Sequence, residues 1–277
     1  MKLVVTGAAG MLGHRVVAAA RERGHDAVAS DLPELDLTDA SAVGRFIACE
    51  APDAIVHCAA YTDVDGAEAH EQLARRVNAD ATANVGAAAA ATGSFVVAVS
   101  TDYVFAGDAD RPYVESAVPE PRTAYGRTKL LGERALAASG AGHAIARTAW
   151  LFGAGGPNFV DTMLRLAGER DEVRVVDDQV GCPTWTGFLA PALLELAERR
   201  AGGIHHLAGA GSCSWRDLAV ETFRVAGADC DVIAVSSDEF VRPAPRPAWS
   251  VLGSERDDSI VLPPWQDHVA AYLKEQG

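Results

Sequence analysis

Lysine is almost missing from this chain of 277 residues: of 24 basic side chains only Lys2, Lys129 and Lys274 are lysine, and the other 21 are arginine. Two of the three lie beside the ends of the sequence, so Lys129 stands alone in its body. Basic charge is scarce as a whole, 24 against 38 Asp and Glu, a formal net charge of −14. A surface of that sign repels a phosphate backbone, which excludes nucleic acid as a partner. Cysteine is sparse too. Cys49, Cys58, Cys182, Cys213 and Cys230 are odd in number and widely spaced, with no CxxC pair and no His at ligand spacing, so neither a disulfide framework nor a metal site is indicated. They fit thiols in a reducing cytoplasm. No long hydrophobic run is present either: the stretch Val85 to Val99 is interrupted by Thr92-Gly93-Ser94 and reads as helix, turn and strand, which leaves no membrane span. The apolar part of MKLVVTGAAGMLG is too short and glycine-broken for a secretory signal and reads as a first strand.

What is present is globular material, 49% hydrophobic and 22% charged, long enough for one large domain or a domain with a smaller lobe. Through about residue 150, β-branched runs alternate with alanine-rich stretches. This places strands at Lys2 to Thr6, Asp26 to Ser30, Ala54 to Cys58, Phe95 to Ser100 and His143 to Arg147. Helices fall near Met11 to Arg23, Ala40 to Glu50, Gly66 to Ala91 and Ala124 to Ser139. Such a series predicts an α/β fold with a Rossmann-type doubly wound parallel sheet, ligands lying at the carboxyl ends of the strands. After Trp150 the rhythm is lost, with strands such as Glu172 to Val176 and Ile204 to Leu207 far apart. The division expected is a dinucleotide-binding domain over 1–150 and mainly a smaller C-terminal substrate-binding lobe over 151–277, some segments of which return to the sheet. The Pro-rich stretch 242–247 reads as an extended loop.

Gly7, Gly10 and Gly13 lie between the first strand and first helix, where glycines permit a tight turn, close approach to a pyrophosphate and tight helix packing. Asp31 follows the second strand, at the spacing at which a carboxylate takes the adenosine ribose hydroxyls; it would repel a 2′-phosphate and argues for NADH over NADPH. Asp36-Leu37 is an alternative contact for adenine and ribose. Tyr125 and Lys129 are four apart on a helix and share a face. A fixed cation beside a phenol, with a cationic nicotinamide nearby, would lower the phenol's pKa and make it a usable proton donor and acceptor. Thr101, at the carboxyl end of the fourth strand, offers a hydroxyl to the Tyr125 phenol and to a substrate oxygen.

Together these residues resemble the extended short-chain dehydrogenase/reductases, and most closely the dTDP-4-dehydrorhamnose reductase family. The similar segments are TGAAGMLG (6–13), AAYTDVDGAE (59–68), STDYVF (100–105), YGRTKLLGE (125–133), RTAWLFG (147–153), NFVDTMLRLA (158–167), DQVGCPT (178–184) and PRPAWSVL (245–252), which cover nearly the whole chain in order. The resemblance implies reduction of the C4 ketone of dTDP-4-dehydro-L-rhamnose to dTDP-L-rhamnose by NADPH or NADH. It implies that Tyr125 protonates the C4 alkoxide, that Lys129 lowers the Tyr125 pKa and holds the nicotinamide ribose, and that Thr101 tunes the tyrosine and binds sugar. It further implies that Gly10-Met11-Leu12, Asp36-Leu37 and Ala60-Tyr61-Thr62 line the cofactor, while Asp102 and Trp150 contact the sugar. An acidic chain that binds a sugar diphosphate needs local positive charge, for which Arg246 and Arg165 are the candidates.

Some members of the family dimerise around magnesium through an acidic residue two positions after the last fingerprint glycine. Here that residue is Arg15, so the expectation is no metal and a monomer, with a weak dimer as the alternative. NADPH use in the family sits against Asp31 and leaves the cofactor open. A sugar-nucleotide 4,6-dehydratase would need a second acid after Asp102, where Tyr103 stands. An epimerase, a reductase of another 4-keto-6-deoxysugar in antibiotic glycosylation, and a non-catalytic subunit like that of methionine adenosyltransferase remain as alternatives.

Overall fold

Alternating β-branched and alanine-rich runs produce alternating strands and helices along the first half of the chain. In the computed structural model, which describes residues 1–276, these are β1 (Lys2–Thr6), α1 (Gly13–Glu22), β2 (Asp26–Ser30), α2 (Ala40–Glu50), β3 (Ala54–His57), α3 (Val64–Ala69), α4 (Glu71–Arg75), α5 (Ala81–Thr92), β4 (Phe95–Thr101), α6 (Ala124–Ala138) and β5 (His143–Thr148). The second half adds β6 (Leu151–Phe152), α7 (Phe159–Ala167), β7 (Glu172–Val176), β8 (Val180–Gly181), β9 (Thr184–Trp185), α8 (Thr186–Arg199), β10 (Gly203–His206), β11 (Cys213–Ser214), α9 (Trp215–Ala226), β12 (Asp231–Val235) and α10 (Trp265–Gln276).

Six strands form one parallel sheet in the order β2-β1-β3-β4-β5-β10. Connections leave β1 toward β2 on one side and reach β3 on the other, so the crevice of a doubly wound sheet opens at the carboxyl ends of β1 and β3. Both faces are covered, which is why the central strands carry consecutive apolar residues, Leu3-Val4-Val5, Ala54-Ile55-Val56 and Phe95 to Val99, rather than alternating ones. Leu3, Val5, Val56 and Val97 pack on one face with Val16 and Val17 of α1 and Leu189, Leu193 and Leu196 of α8. Val4, Ile55, Val96 and Ile145 pack on the other with Val43, Ile47, Val85 and Leu136.

The span 186–206 therefore returns to the sheet: α8 covers it beside α1, and β10 extends it beyond β5. The remainder of the second half builds a smaller lobe. Phe152, Val160, Leu218, Val269 and Tyr272 form one apolar centre, and Met163, Val173, Val175, Ala219 and Phe223 a second beneath the parallel pair β7 and β12.

A single helix expected from Gly66 to Ala91 is instead α3, α4, one π-helical turn over Arg76–Asp80, and α5. The widened turn surrounds buried Asn78. Its Nδ2 donates to the Tyr61 carbonyl (3.2 Å) and the Thr128 hydroxyl (3.0 Å), and its Oδ1 accepts from Tyr61 N–H (2.8 Å), tying the loop after β3 to α6. A π-turn at such a place commonly accompanies a functional site. On the far side of α6, Arg147 of β5 donates from Nε and Nη2 to Glu133 (2.9 and 2.6 Å), and Ser100 adds a third hydrogen bond to the same carboxylate (2.5 Å). Thus α6 is locked against the sheet by polar groups at two levels. Among the described residues no helix is long and apolar enough to cross a membrane.

Candidate active site

The turn after β1 leaves no room for side chains. Gly7 has φ +67°, and a Cβ there would lie 2.6 Å from Ala59 N in the loop after β3; one on Gly13 would lie 2.0 Å from Gly7 O. Glycine is required at Gly7 by the loop after β3 and at Gly13 by the turn's own backbone. The first turn of α1 has no side-chain cap, although His14 N–H donates to the Gly10 carbonyl (3.1 Å), and the helix N-terminus faces the cleft. Helix geometry starts at Gly13 rather than Met11, so Gly10, Met11 and Leu12 remain in the turn and line the cleft. Asp31 lines it as well, with both oxygens engaged: Oδ2 accepts from Ala9 N–H and Oδ1 from Leu32 N–H, each at 2.8 Å. Asp36 and Leu37 border the same space; hydrogen bonds from the Thr38 backbone and hydroxyl hold the Asp36 carboxyl below its ordinary range.

These residues form one end of a cavity of about 1310 Å³, and Thr101, Asp102, Tyr125, Lys129 and Trp150 line it further along. The volume exceeds the usual range for a single small ligand, which leaves space for a dinucleotide and a second nucleotide-sized molecule. Thr123 caps α6 by accepting from Gly126 N–H (3.0 Å), which places Tyr125 in the first turn with its ring edge-on to Tyr103. Burial pushes the Tyr125 phenol up to about 12; the Thr101 hydroxyl beside it pulls the other way, and Asp102 adds to the rise. Thr101 donates to Asp102 Oδ1 (2.9 Å) and accepts from Tyr103 N–H (3.2 Å). Burial likewise raises Asp102 to about 6.

Lys129 lines the same cavity from α6, and its stem runs back to the end of β4, where Nζ donates to the Val99 carbonyl (2.7 Å). Burial pushes the ammonium down to about 8 against the pull of Glu133 and Cys58.

Ala60 and Thr62 line the cleft, whereas Tyr61 between them does not. Its ring packs with Ala67, Ala74 and Ala124 while its backbone is held by Asn78. Arg165 also stands outside the cavity, in an exposed i,i+4 pair with Glu169 (2.9 Å), because its position on α7 points it away from the apolar face. Arg246 does line the cavity and is gripped by Asp65 at 2.7 and 2.9 Å. Trp150 adopts φ +47° and stacks on Trp215, ring centroids 3.6 Å apart, with Phe159 tilted against the latter. Asp65, Asn78, Phe159 and Trp215 were not singled out from sequence. Only Asp65 and Phe159 fall in segments that carried the resemblance, and neither a lone acid nor a lone aromatic signals a role.

A doubly wound sheet with a glycine-lined crevice, and a tyrosine, lysine and threonine on one wall of it, defines a nicotinamide-dependent short-chain reductase. The chain belongs to the family whose model is described as the RmlD substrate binding domain, which matches residues 1–277. It is 45% identical to a dTDP-4-dehydrorhamnose reductase of Streptomyces griseus, over 98% of this chain and 91% of that protein. It is 44% identical to a dTDP-4-keto-6-deoxy-D-glucose reductase of Streptomyces niveus, over 91% and 88%. Its fold superposes with TM-score 0.96 on the crystal structure of a dTDP-4-dehydrorhamnose reductase of Bacillus anthracis in complex with NADP, at 36% identity and 99% coverage of both chains.

Proposed function

We propose that this chain reduces the C4 ketone of dTDP-4-dehydro-L-rhamnose to the alcohol of dTDP-L-rhamnose, using NADPH or NADH. The observation that carries this reading is the placement of Thr101, Tyr125 and Lys129 on one wall of the cavity that begins at the glycine turn and ends at Trp150 and Arg246. The glycine cradle, where a Cβ on Gly7 or Gly13 would strike backbone, fits the pyrophosphate of a dinucleotide. When bound, the reduced nicotinamide supplies the hydride for the C4 carbon.

The chain's own residues handle the proton and the orientation. A Tyr125 phenol held near 12 is fully protonated at neutral pH and close in proton affinity to a forming alkoxide, so it donates its hydrogen to the C4 oxygen as charge develops there. Thr101 holds its hydroxyl beside the phenol and is itself fixed by donating to Asp102 Oδ1 (2.9 Å). Lys129, anchored at the Val99 carbonyl, has two further N–H bonds for the nicotinamide ribose hydroxyls. Trp150 offers its ring to the sugar, and Arg246 its guanidinium to the diphosphate. The chain acts as a monomer in the cytoplasm on this reading. Arg15, at the position where metal-bridged relatives carry an acid, bonds Glu275 of α10 (2.6 Å) instead.

A second reading, reduction of another dTDP-4-keto-6-deoxysugar, is favoured by the near-equal identity to the Streptomyces niveus protein. The test is to supply dTDP-4-dehydro-L-rhamnose and dTDP-4-keto-6-deoxy-D-glucose separately and follow loss of NADH or NADPH absorbance. Higher kcat/KM for the first supports the proposal, and higher kcat/KM for the second replaces it. Equal rates for native protein and Tyr125→Phe would remove the mechanism.

A further inference from the structure

Arg246 has five N–H bonds to offer, and the fold uses three of them. Nη1 donates to Asp65 Oδ1 (2.9 Å) and to the Ala244 carbonyl (3.0 Å), and Nη2 donates to Asp65 Oδ2 (2.7 Å). The carboxylate therefore grips the guanidinium end-on, across its two terminal nitrogens. What remains is the side edge, Nε–H and the second N–H of Nη2, for which no described residue is an acceptor. In four other arginine–carboxylate pairs that edge is the one that grips: Arg127 holds Glu71, Arg147 holds Glu133, Arg224 holds Glu221 and Arg256 holds Asp258, each through Nε and Nη2. Arg246 keeps its side edge out of the carboxylate pair while lining the cleft.

We propose that Asp65 is a positioning residue for substrate recognition: it holds Arg246 end-on so that the Nε–Nη2 edge takes two oxygens of the substrate's diphosphate. The inference rests on the sugar-nucleotide reading above. Asp65 is itself well fixed. It lies in the first turn of α3, and its Oδ1 also accepts from Ala244 N–H (3.1 Å), so one carboxylate joins the loop after β3 to the segment that carries the arginine. Arg242 approaches the same carboxylate at 3.7 Å. Two arginines against one aspartate leave this spot positive in a chain of net charge −14. Burial favours the protonated acid, but the hydrogen bonds from Arg246 and Ala244 outweigh it and hold the Asp65 carboxyl below its usual range, so the pair is ionised at neutral pH.

A carboxylate that merely competed with the diphosphate for Arg246 would have the opposite effect when removed. The test is titration of dTDP, and of thymidine as the phosphate-free control, into the full-length native protein, Asp65→Ala, Arg246→Ala and the double variant. Binding is read by calorimetry, with melting temperature and NADH affinity recorded for each. The expected result is about tenfold weaker dTDP binding by Asp65→Ala, unchanged thymidine and NADH binding, and a double variant no weaker than Arg246→Ala alone. With the keto sugar, KM should rise by a similar factor while kcat stays within about twofold. Equal or tighter dTDP binding by Asp65→Ala, or two losses that simply multiply, would overturn the proposal. Should Asp65→Ala fail to fold, Asp65→Asn, which keeps the volume and one acceptor oxygen, carries the same comparison. Coupling of the two residues in dTDP binding without turnover of any keto sugar would leave this inference standing and remove the reaction.

Discussion

Asp102 gives the sharpest prediction, because its burial puts stability and function in conflict. Its side chain is enclosed at the cleft wall, only 3% of the residue being exposed; Oδ1 accepts from Thr101, and Oδ2 makes no full hydrogen bond. Burial raises its pKa from 3.8 to about 6, even with the Ser250 and Thr101 hydroxyls pulling it down. Between those values the folded protein keeps a proton that the unfolded chain has released, so this group subtracts stability as pH rises through the window. Above about pH 6 the whole cost stands, about 3 kcal/mol at 1.36 kcal/mol per pH unit. Asp102→Asn keeps the shape and one acceptor but removes the charge. Leaving an amide hydrogen poorly paired costs about 1–2 kcal/mol at every pH, so the net gain near pH 7.5 should be about 1–2 kcal/mol. The measurement is urea unfolding of both proteins from pH 4 to pH 7.5, in which every other carboxylate cancels in the difference. That difference should move by about 2–3 kcal/mol in favour of the variant as pH rises, while kcat/KM falls because the Thr101 partner has changed. A difference that stays flat over the range, or a variant less stable at pH 7.5 than at pH 4 relative to native, would refute the reasoning.

Three further outcomes are expected. Tyr125→Phe should lower turnover by about a hundredfold to ten-thousandfold, the span associated with loss of a proton donor, with dTDP and NADH binding unchanged; a loss under tenfold would mean that water replaces the phenol. NADH affinity should weaken as pH rises through about 8, where the Lys129 ammonium is lost, and Lys129→Met should be weak and flat over the same range; a pH response retained in the variant would assign the titration elsewhere. Arg147→Ala should cost about 3–5 kcal/mol in urea unfolding, because it strands Glu133 as an unpaired buried charge, whereas Arg147→Met with Glu133→Leu should recover much of that.

Much of this molecule can be read from local pattern. The strands Lys2–Thr6 and Asp26–Ser30 and the helix Ala40–Glu50 end where their apolar periods end. Tyr125 and Lys129 reach one cavity because four residues make about one helical turn. What could not be read depends on partners distant in sequence. The helix over 186–199, which contains Pro191, is not marked by the alternation that ends near Trp150, and nothing local says that it covers the sheet beside α1. Nothing local distinguishes Tyr61 from its neighbours Ala60 and Thr62; Asn78, 17 residues on, holds its backbone with the ring turned out of the cleft. The break of 66–91 into shorter helices has the same origin, a side chain that bonds across to Thr128 and widens its own turn.

The scarcity of lysine acquires a physical meaning in this setting. Arginine's planar fork suits it to being held by carboxylates, and the buried Arg147 and half-buried Arg246 are each held that way, by Glu133 and Asp65. A residue gripped by a carboxylate keeps its charge but loses its freedom, which serves positioning and steady anion recognition. Lys129 lies within the same cavity wall with no carboxylate in salt-bridge contact among the described residues, only the Val99 carbonyl. Its ammonium is thereby cheap to neutralise and has donors to spare, the two properties a group must have to respond when a ribose arrives beside it. Lys129→Arg separates these demands: the larger, permanently charged fork fits poorly at a point anchored to one carbonyl, so cofactor affinity should fall by about tenfold or more although charge is conserved. If Lys129→Arg bound NADH as the native protein does, the distinction between the two cations would carry no weight at this site.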